Sequence, residues 1–209
     1  MNIAEIVSLT PVIPVLTIDR AEDAAPLVGA LAEGGLGIVE ITLRTGAALA
    51  AVHAAAAAVP EAVIGVGTAL DADDLRRAQD AGAHFAVSPG ATPELLRAAD
   101  EAGMPLLPGA VTASEVMALM EAGHAHAKFF PAEAAGGVAA LSAFAGPFPG
   151  MRFCATGGVG SQNACYYLEL PNVTCVGGSW LAPRDAVAAQ DWARITGLAR
   201  RAAALKQVP

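Results

Sequence analysis

The sequence predicts an α/β protein folded as a compact (β/α)8 barrel, a TIM barrel, with one helix before the first strand. Eight short apolar runs recur at intervals of roughly 21 to 26 residues, the length of one βα unit. Hydrophobic residues make up 55% of the chain and charged residues 15%, so many elements must be buried on both faces. The length of 209 residues suits a single domain over residues 1–209 and lies near the lower limit for this barrel.

Each apolar run is predicted to be a strand, and the longer stretches between the runs are predicted to be helices. The predicted strands are Val12–Thr17, Ile38–Leu43, Val63–Gly67, His84–Ser88, Pro105–Pro108, Ala127–Phe130, Arg152–Ala155 and Thr174–Gly177. A doubly wound open sheet is the alternative fold. It needs fewer strands, so the runs at both ends of the chain would have to be discounted.

Capping residues and glycines mark the helix boundaries. Asp71 and Thr112 stand where helix N-caps are expected, each followed by acidic residues in the first turn. Gly82 and Gly103 end helical stretches, where a glycine can take the left-handed conformation that closes a helix. A first helix over Asn2–Leu9 is predicted to cover the bottom of the barrel.

Charge and cysteine content exclude several classes of partner. The formal net charge is −8 and the pI is about 4.9, so nucleic acid and anionic membranes are disfavoured as partners. Three cysteines without a Cys-x-x-Cys pair indicate a reducing compartment. The segment Met1–Pro11 lacks the basic start of a signal peptide, and the longest apolar run, Ala47–Val59, is too short to span a bilayer. We therefore expect a cytoplasmic protein.

Lys128 is the first candidate catalytic residue. It lies within the sixth apolar run, where a lysine is costly unless it has a purpose. The only other lysine, Lys206, is three residues from the end and is expected to be solvated. Apolar neighbours disfavour the ammonium form and leave a nucleophilic amine, as Schiff-base chemistry requires. The structural alternative is a lysine that pairs with a buried acid or extends to solvent.

The second strand carries an acid and an arginine on one face. Strict alternation predicts that Glu40, Thr42 and Arg44 point into the barrel and that Ile41 and Leu43 point towards the helices. Glu40 would then be a general acid and base, and Arg44 a clamp for a carboxylate, which suits its two parallel donors. A purely structural ion pair is the alternative interpretation.

The residues that follow predicted strands three, seven and eight are candidates for ligand binding. The indication is weaker after strand three than after strands seven and eight. Thr68 follows the third strand, and its hydroxyl would lie at the barrel mouth. Gly-Gly turns follow strands seven and eight, at Thr156-Gly157-Gly158 and Gly177-Gly178-Ser179. In such barrels these two loops commonly bind phosphate through backbone N–H groups. Ordinary tight turns are the alternative explanation.

No metal or cofactor site is predicted. The four histidines lack metal-ligand spacing with nearby Cys, Asp or Glu. Gly65-Val66-Gly67 is not followed by the rest of a dinucleotide-binding fingerprint. Cys154 and Cys175 fall on neighbouring predicted strands and are expected to be small core residues.

Seven short motifs together resemble, in order and spacing, the KDPG/KHG aldolases, named after 2-keto-3-deoxy-6-phosphogluconate and 2-keto-4-hydroxyglutarate. The motifs are Glu40-Ile41-Thr42-Leu43-Arg44-Thr45, Gly65-Val66-Gly67-Thr68, Ser88-Pro89-Gly90, Pro108-Gly109, Lys128-Phe129-Phe130-Pro131-Ala132-Glu133, Thr156-Gly157-Gly158 and Gly177-Gly178-Ser179-Trp180-Leu181. The resemblance extends from about Val12 to Trp192.

The resemblance implies a class I aldolase without a cofactor, acting as a homotrimer on a phosphorylated keto acid. Lys128 would form the Schiff base with pyruvate, and Glu40 would transfer protons. The remaining site residues implied by the resemblance are Arg44 and Thr68 for the carboxylate, Phe130 beside the imine, and Gly157, Gly158 and Ser179, with Thr156 nearby, for the phosphate.

Several other functions remain open from the sequence. A related aldolase could prefer 4-hydroxy-2-oxoglutarate or the galactonate-derived sugar acid, because the configuration at C4 is not encoded in a motif. A phosphate-binding barrel isomerase would use Glu40 as its base and Lys128 as an electrostatic partner. A binding or assembly module and a metal-dependent aldolase are less consistent with polar residues at four strand ends and with the lack of a ligand cluster.

Overall fold

The computed structural model describes residues 1–205, which form eight strands and ten α-helices. One helix precedes the first strand, helices alternate with the strands after it, and two helices follow the last strand. The strands are β1 (Val12–Leu16), β2 (Ile38–Thr42), β3 (Val63–Gly67), β4 (Phe85–Val87), β5 (Leu106–Leu107), β6 (His126–Phe129), β7 (Arg152–Thr156) and β8 (Val173–Gly178). The helices are α1 (Ile3–Ser8), α2 (Ala24–Glu33), α3 (Ala48–Ala58), α4 (Ala72–Asp80), α5 (Pro93–Ala102), α6 (Ala113–Glu121), α7 (Gly137–Ala145), α8 (Ala164–Leu168), α9 (Arg184–Ala188) and α10 (Trp192–Ala203). Lys206, predicted to be solvated, lies outside the described residues.

The strands are parallel and follow the order β5-β4-β3-β2-β1-β8-β7-β6. The first and last strands pair directly, with Val12 opposite Val176. Between β5 and β6 the sheet closes through a single bridge: the Lys128 N–H donates to the Pro108 carbonyl at 2.8 Å, and the Ala110 N–H donates to the Lys128 carbonyl at 2.9 Å. The predicted (β/α)8 barrel is therefore confirmed, and the open sheet is excluded by the pairing of β1 with β8.

Apolar residues on both faces of the strands build two layers. The larger cluster fills the space between the strands and the outer helices. The smaller cluster lies inside the barrel and joins Ile6 and Val7 of α1 to Ile13, Phe85 and Cys175. The α1 helix thus covers the bottom of the barrel, as predicted, and its start is held by a capping box between Asn2 and Glu5.

Most boundaries predicted from the sequence agree with the structure within one or two residues. Asp71 and Thr112 cap α4 and α6 with side-chain hydrogen bonds, and Gly82 and Gly103 have the expected positive φ angles. The fifth strand is shorter than the predicted Pro105–Pro108. Proline has no N–H to donate to a neighbouring strand, so only the two leucines between the prolines pair as a strand.

The helices of residues 1–205 include none with both the length and the apolar character needed to cross a bilayer.

Candidate active site

Lys128 and Glu40 form a buried ion pair inside the barrel. Nζ of Lys128 lies 3.2 Å from Oε1 of Glu40, and the two residues are only 6% and 4% exposed. The strands that carry them, β6 and β2, lie on different sides of the barrel, and the side chains meet across its interior. A buried charged pair adds little stability compared with well-packed apolar residues, so its presence indicates a functional site.

Gly67 makes room for the Glu40 carboxylate. The glycine lies opposite Thr42 in the β2–β3 register, and a Cβ atom placed on it would lie 2.0 Å from Oε1 of Glu40. No real Cβ atom approaches an oxygen that closely. Any larger residue at position 67 would therefore move the carboxylate away from Lys128.

Aromatic and sulfur-containing side chains surround the lysine. Its Nζ lies 5.2 Å from the centre of the Phe130 ring, which follows β6. Cys154 stands opposite Lys128 in the β6–β7 register, and Cys175 stands opposite Cys154 on β8. A hydrogen bond from the Cys175 thiol lowers the pKa of Cys154, and the same bond together with burial raises the pKa of Cys175. As predicted, the two cysteines are small core residues.

Thr156 lies at the end of β7, beside this buried layer. Its hydroxyl is 3.7 Å from Sγ of Cys154, and a Cβ atom on Gly177 would lie 2.3 Å from the same hydroxyl. The absence of a side chain at Gly177 therefore gives Thr156 its place at the barrel mouth, between the lysine layer and the β8 loop.

Arg44 lies beyond the strand on which its alternation was predicted. β2 ends at Thr42, and Arg44 is exposed in the turn that follows. The Leu43 N–H still donates to the Gly67 carbonyl at 2.8 Å. Thr42 does point inward, and its hydroxyl donates to the Leu16 carbonyl at 3.0 Å.

From the turn after β2, Arg44 lines a cavity of about 670 Å³ at the mouth of the barrel. The cavity also contacts Val15, whose Cα stands opposite Glu40, and Ser179, which follows β8. Two further arginines, Arg20 and Arg184, lie in its wall. Asp19 and Asp23 lie in the same wall, and Arg20 is paired with Glu22 and Asp23. Of the three arginines, Arg44 and Arg184 have no carboxylate partner among the described residues and could attract an anionic ligand.

Thr68 follows β3 in a strained backbone conformation. Its φ angle is +63°, in the left-handed region that β-branched residues strongly avoid. Such a conformation costs of order 1–3 kcal/mol and is concentrated at active sites and ligand clamps. The residue is half-buried and directly follows Gly67, the glycine against which the Glu40 carboxylate packs.

The loop after β7 exposes backbone donors. Gly157 and Gly158 have φ angles of +100° and +79°, and neither they nor Val159 donate their N–H groups to another of the described residues. Gly157 packs against Phe130: a Cβ atom on the glycine would lie 3.1 Å from the ring. Free N–H groups in consecutive left-handed glycines form a concave surface that suits an anion.

The structure thus brings together most of the predicted site residues. Lys128, Glu40, Phe130, Thr156 and Gly157 are linked through direct or shared contacts, whereas Arg44 and Ser179 lie in the wall of the mouth cavity. Sequence reasoning did not identify the close approach of Gly67 to Glu40, the arginines at 20 and 184, or a hydrogen bond between Tyr167 and Glu133. Within residues 1–205, no group of three His, Cys, Asp or Glu side chains has the geometry to hold a metal ion.

Comparison with known proteins gives consistent results for the whole chain. A family model described as KDPG and KHG aldolase matches residues 3–198. The chain is 52% identical to the 2-dehydro-3-deoxy-phosphogluconate aldolase of Pseudoalteromonas atlantica over 200 residues, which cover 96% of this chain and 93% of that protein.

Two solved structures share the fold of this chain, and each of them holds a ligand. The KDPG aldolase of Legionella pneumophila, with pyruvate captured as a covalent carbinolamine intermediate, superposes with a TM-score of 0.93 at 44% identity and covers 95% of this chain and 97% of its own. The 2-keto-3-deoxy-6-phosphogluconate aldolase of Zymomonas mobilis, with 3-phosphoglycerate, has a TM-score of 0.94 at 45% identity and covers 98% and 96%.

Proposed function

The chain belongs to the KDPG and KHG aldolase family, and we propose that it cleaves 2-dehydro-3-deoxy-6-phosphogluconate to pyruvate and glyceraldehyde 3-phosphate through a Schiff base on Lys128. The observation that carries the proposal is the buried amine of Lys128, 3.2 Å from the Glu40 carboxylate inside the barrel. The relative captured with a covalent pyruvate adduct supports the same chemistry. Members of this family are carbon–carbon lyases.

The reaction begins at the keto group of the substrate. The Lys128 amine attacks C2, water leaves, and an iminium forms that can accept an electron pair. Glu40 removes the proton of the C4 hydroxyl, the C3–C4 bond breaks, and its electrons move into the iminium. Glyceraldehyde 3-phosphate departs, and an enamine of pyruvate remains. Glu40 returns its proton to C3, and water then hydrolyses the iminium to free pyruvate and Lys128.

The two charged ends of the substrate would be held by loops that follow different strands at the mouth. Arg44 and Thr68 are assigned to the carboxylate, since they follow β2, which carries Glu40, and its neighbour β3, and arginine offers two donors to two oxygens. The free N–H groups of Gly157 and Gly158, with Ser179, are assigned to the phosphate. Phe130 lies beside the amine.

A second substrate is included in the family description itself. 4-Hydroxy-2-oxoglutarate carries the same keto-acid end and a C4 hydroxyl, so the Lys128–Glu40 chemistry applies to it unchanged. It lacks a phosphate and would make no use of the Gly157–Gly158 loop. We therefore expect it to be cleaved with a higher KM than the phosphorylated substrate.

Borohydride trapping with pyruvate tests the proposed mechanism. The chain contains only two lysines, Lys128 and Lys206, so the modified residue can be assigned without ambiguity by mass spectrometry of a digest. We expect a reduced pyruvate adduct on Lys128 and none on Lys206. An unmodified Lys128 in folded protein with excess pyruvate would contradict the Schiff-base mechanism and would favour an isomerase that uses Glu40 as its base.

Replacing Gly67 with alanine should impair catalysis without preventing folding. The new methyl group would occupy the place of the Glu40 carboxylate, and a displacement of about 1 Å from productive geometry costs on the order of 100-fold in rate. The measurement is kcat for cleavage of 2-dehydro-3-deoxy-6-phosphogluconate. Gly37→Ala is the matched control, because a Cβ atom there meets no atom within 4 Å. Equal activity of the two variants would show that the position of Glu40 is unimportant.

The proposal extends to assembly and location. The family resemblance supports a homotrimer, whose mass by light scattering would be three times the 20.9 kDa of one chain. Three free cysteines support a reducing compartment, hence the cytoplasm, which cell fractionation would test.

A further inference from the structure

We infer that Tyr167 and Glu133 are positioning residues that hold the loop of Gly157 and Gly158 in shape for the phosphate of the substrate. This inference rests on the proposed function, because it assigns a role in binding the phosphorylated end. It concerns two residues that contact neither the imine nor the reacting carbons.

A hydrogen bond joins the two side chains across different elements. The Tyr167 hydroxyl donates to Oε1 of Glu133. Tyr167 lies on α8 and is fully buried, whereas Glu133 follows β6 and lies at the surface. Burial, and then the bond to Glu133, raise the pKa of Tyr167 well above its ordinary value, so the hydroxyl remains a donor at any pH the protein meets.

The same glutamate is in direct contact with the phosphate loop. Its backbone N–H donates to the Gly157 carbonyl at 3.0 Å, and a Cβ atom on Gly158 would lie only 2.6 Å from Cγ of Glu133. Gly158 therefore rests on the glutamate side chain. Because Tyr167 fixes that side chain, the tyrosine also fixes the direction in which the loop presents its N–H groups.

Charge gives the hydrogen bond a second consequence. A carboxylate that is free to turn beside a phosphate site would repel the phosphate. Tyr167 instead holds the Glu133 carboxylate beside Gly137, where a Cβ atom would lie 3.2 Å from the tyrosine hydroxyl and 3.5 Å from Oε1. The carboxylate thus stays on the helix side of the loop.

Tyr167→Phe tests the inference, because it keeps the ring and removes only the donor. The full chain is assayed with 2-dehydro-3-deoxy-6-phosphogluconate and with 4-hydroxy-2-oxoglutarate, which has no phosphate. Loss of a hydrogen bond to a charged group should raise KM for the phosphorylated substrate about tenfold, while kcat for both substrates and KM for the second one stay within about twofold. A change shared equally by both substrates, or confined to kcat, would overturn the inference.

Matched variants distinguish loss of the Tyr167–Glu133 hydrogen bond from general damage to the protein. Tyr166→Phe alters the exposed neighbouring tyrosine of α8, whose hydroxyl makes no hydrogen bond to the described residues, and should change nothing. Glu133→Ala removes the same hydrogen bond together with the Cγ on which Gly158 rests, so it should also raise KM for the phosphorylated substrate. Adding Tyr167→Phe to Glu133→Ala should raise that KM no further, since the bond is already lost. Additive losses would show that Tyr167 and Glu133 act separately and would contradict the inference.

A binding measurement keeps this test independent of turnover. Calorimetry should show that 3-phosphoglycerate binds Tyr167→Phe about tenfold more weakly than it binds the wild type, and an equal affinity would overturn the inference. Failure of the proposed function would appear differently, as a wild-type chain that traps no pyruvate on Lys128.

Discussion

Replacing Lys128 with methionine should reduce cleavage of 2-dehydro-3-deoxy-6-phosphogluconate by at least about 10⁴-fold, the scale on which loss of a covalent nucleophile acts. Methionine keeps the approximate length of the side chain but has no amine, so neither the iminium nor its electron sink can form. The measurement is kcat/KM with pyruvate release coupled to a dehydrogenase. Activity within tenfold of the wild type would contradict the proposed role of Lys128.

The stability of this variant needs its own control. Glu40 is 4% exposed, and removing its partner leaves a buried carboxylate unpaired, at a cost of about 3–5 kcal/mol. Adding Glu40→Gln removes the second charge and should recover much of that loss in a urea unfolding experiment. The double variant should therefore be stable and inactive, which separates lost chemistry from lost folding.

Glu40→Gln should lower kcat by about 10²- to 10⁴-fold while leaving the Schiff base intact. The amide oxygen can still accept the hydrogen bond from Lys128 but cannot take up a proton at neutral pH. We expect borohydride to trap pyruvate on Lys128 in this variant as it does in the wild type. The lost step is therefore proton transfer and not imine formation.

Exchange of pyruvate methyl protons with deuterium oxide isolates that step without any aldehyde. The wild type should exchange them through the enamine, and Glu40→Gln should trap pyruvate but exchange it at least about 100-fold more slowly. Glu61→Gln is the control and should exchange normally, because Glu61 is exposed just before the start of β3, at the end of the barrel opposite the mouth. Rapid exchange in Glu40→Gln would assign the proton transfer to another group.

The fold was accessible from sequence because its signals are local. Apolar runs at βα intervals, caps such as Asp71 and left-handed glycines such as Gly103 each report on a few neighbouring residues, and all of them agree with the structure. The fifth strand was overestimated because its length depends on where the flanking prolines stop the pairing with β4.

The site could be predicted only in part from the sequence, because its contacts join residues that are far apart along the chain. A lysine in an apolar strand and an acid on a regular alternation can be recognised singly, but Lys128 and Glu40 are 88 residues apart and meet only because the barrel brings their strands together. The alternation rule does not apply to Arg44, because β2 ends two residues earlier, and its place in the wall of the mouth cavity depends on the turn that follows.

By itself, the sequence determined the order and spacing of the βα units, the buried lysine and the Gly-Gly turns, because each depends on residues close together along the chain. Only the tertiary structure decided that Gly67 leaves space for the Glu40 carboxylate, that Arg44 lines the mouth cavity and that Tyr167 bonds to Glu133, 34 residues away. Those contacts depend on strand register and loop geometry, which are set when distant segments pack together and leave no periodic trace in the sequence.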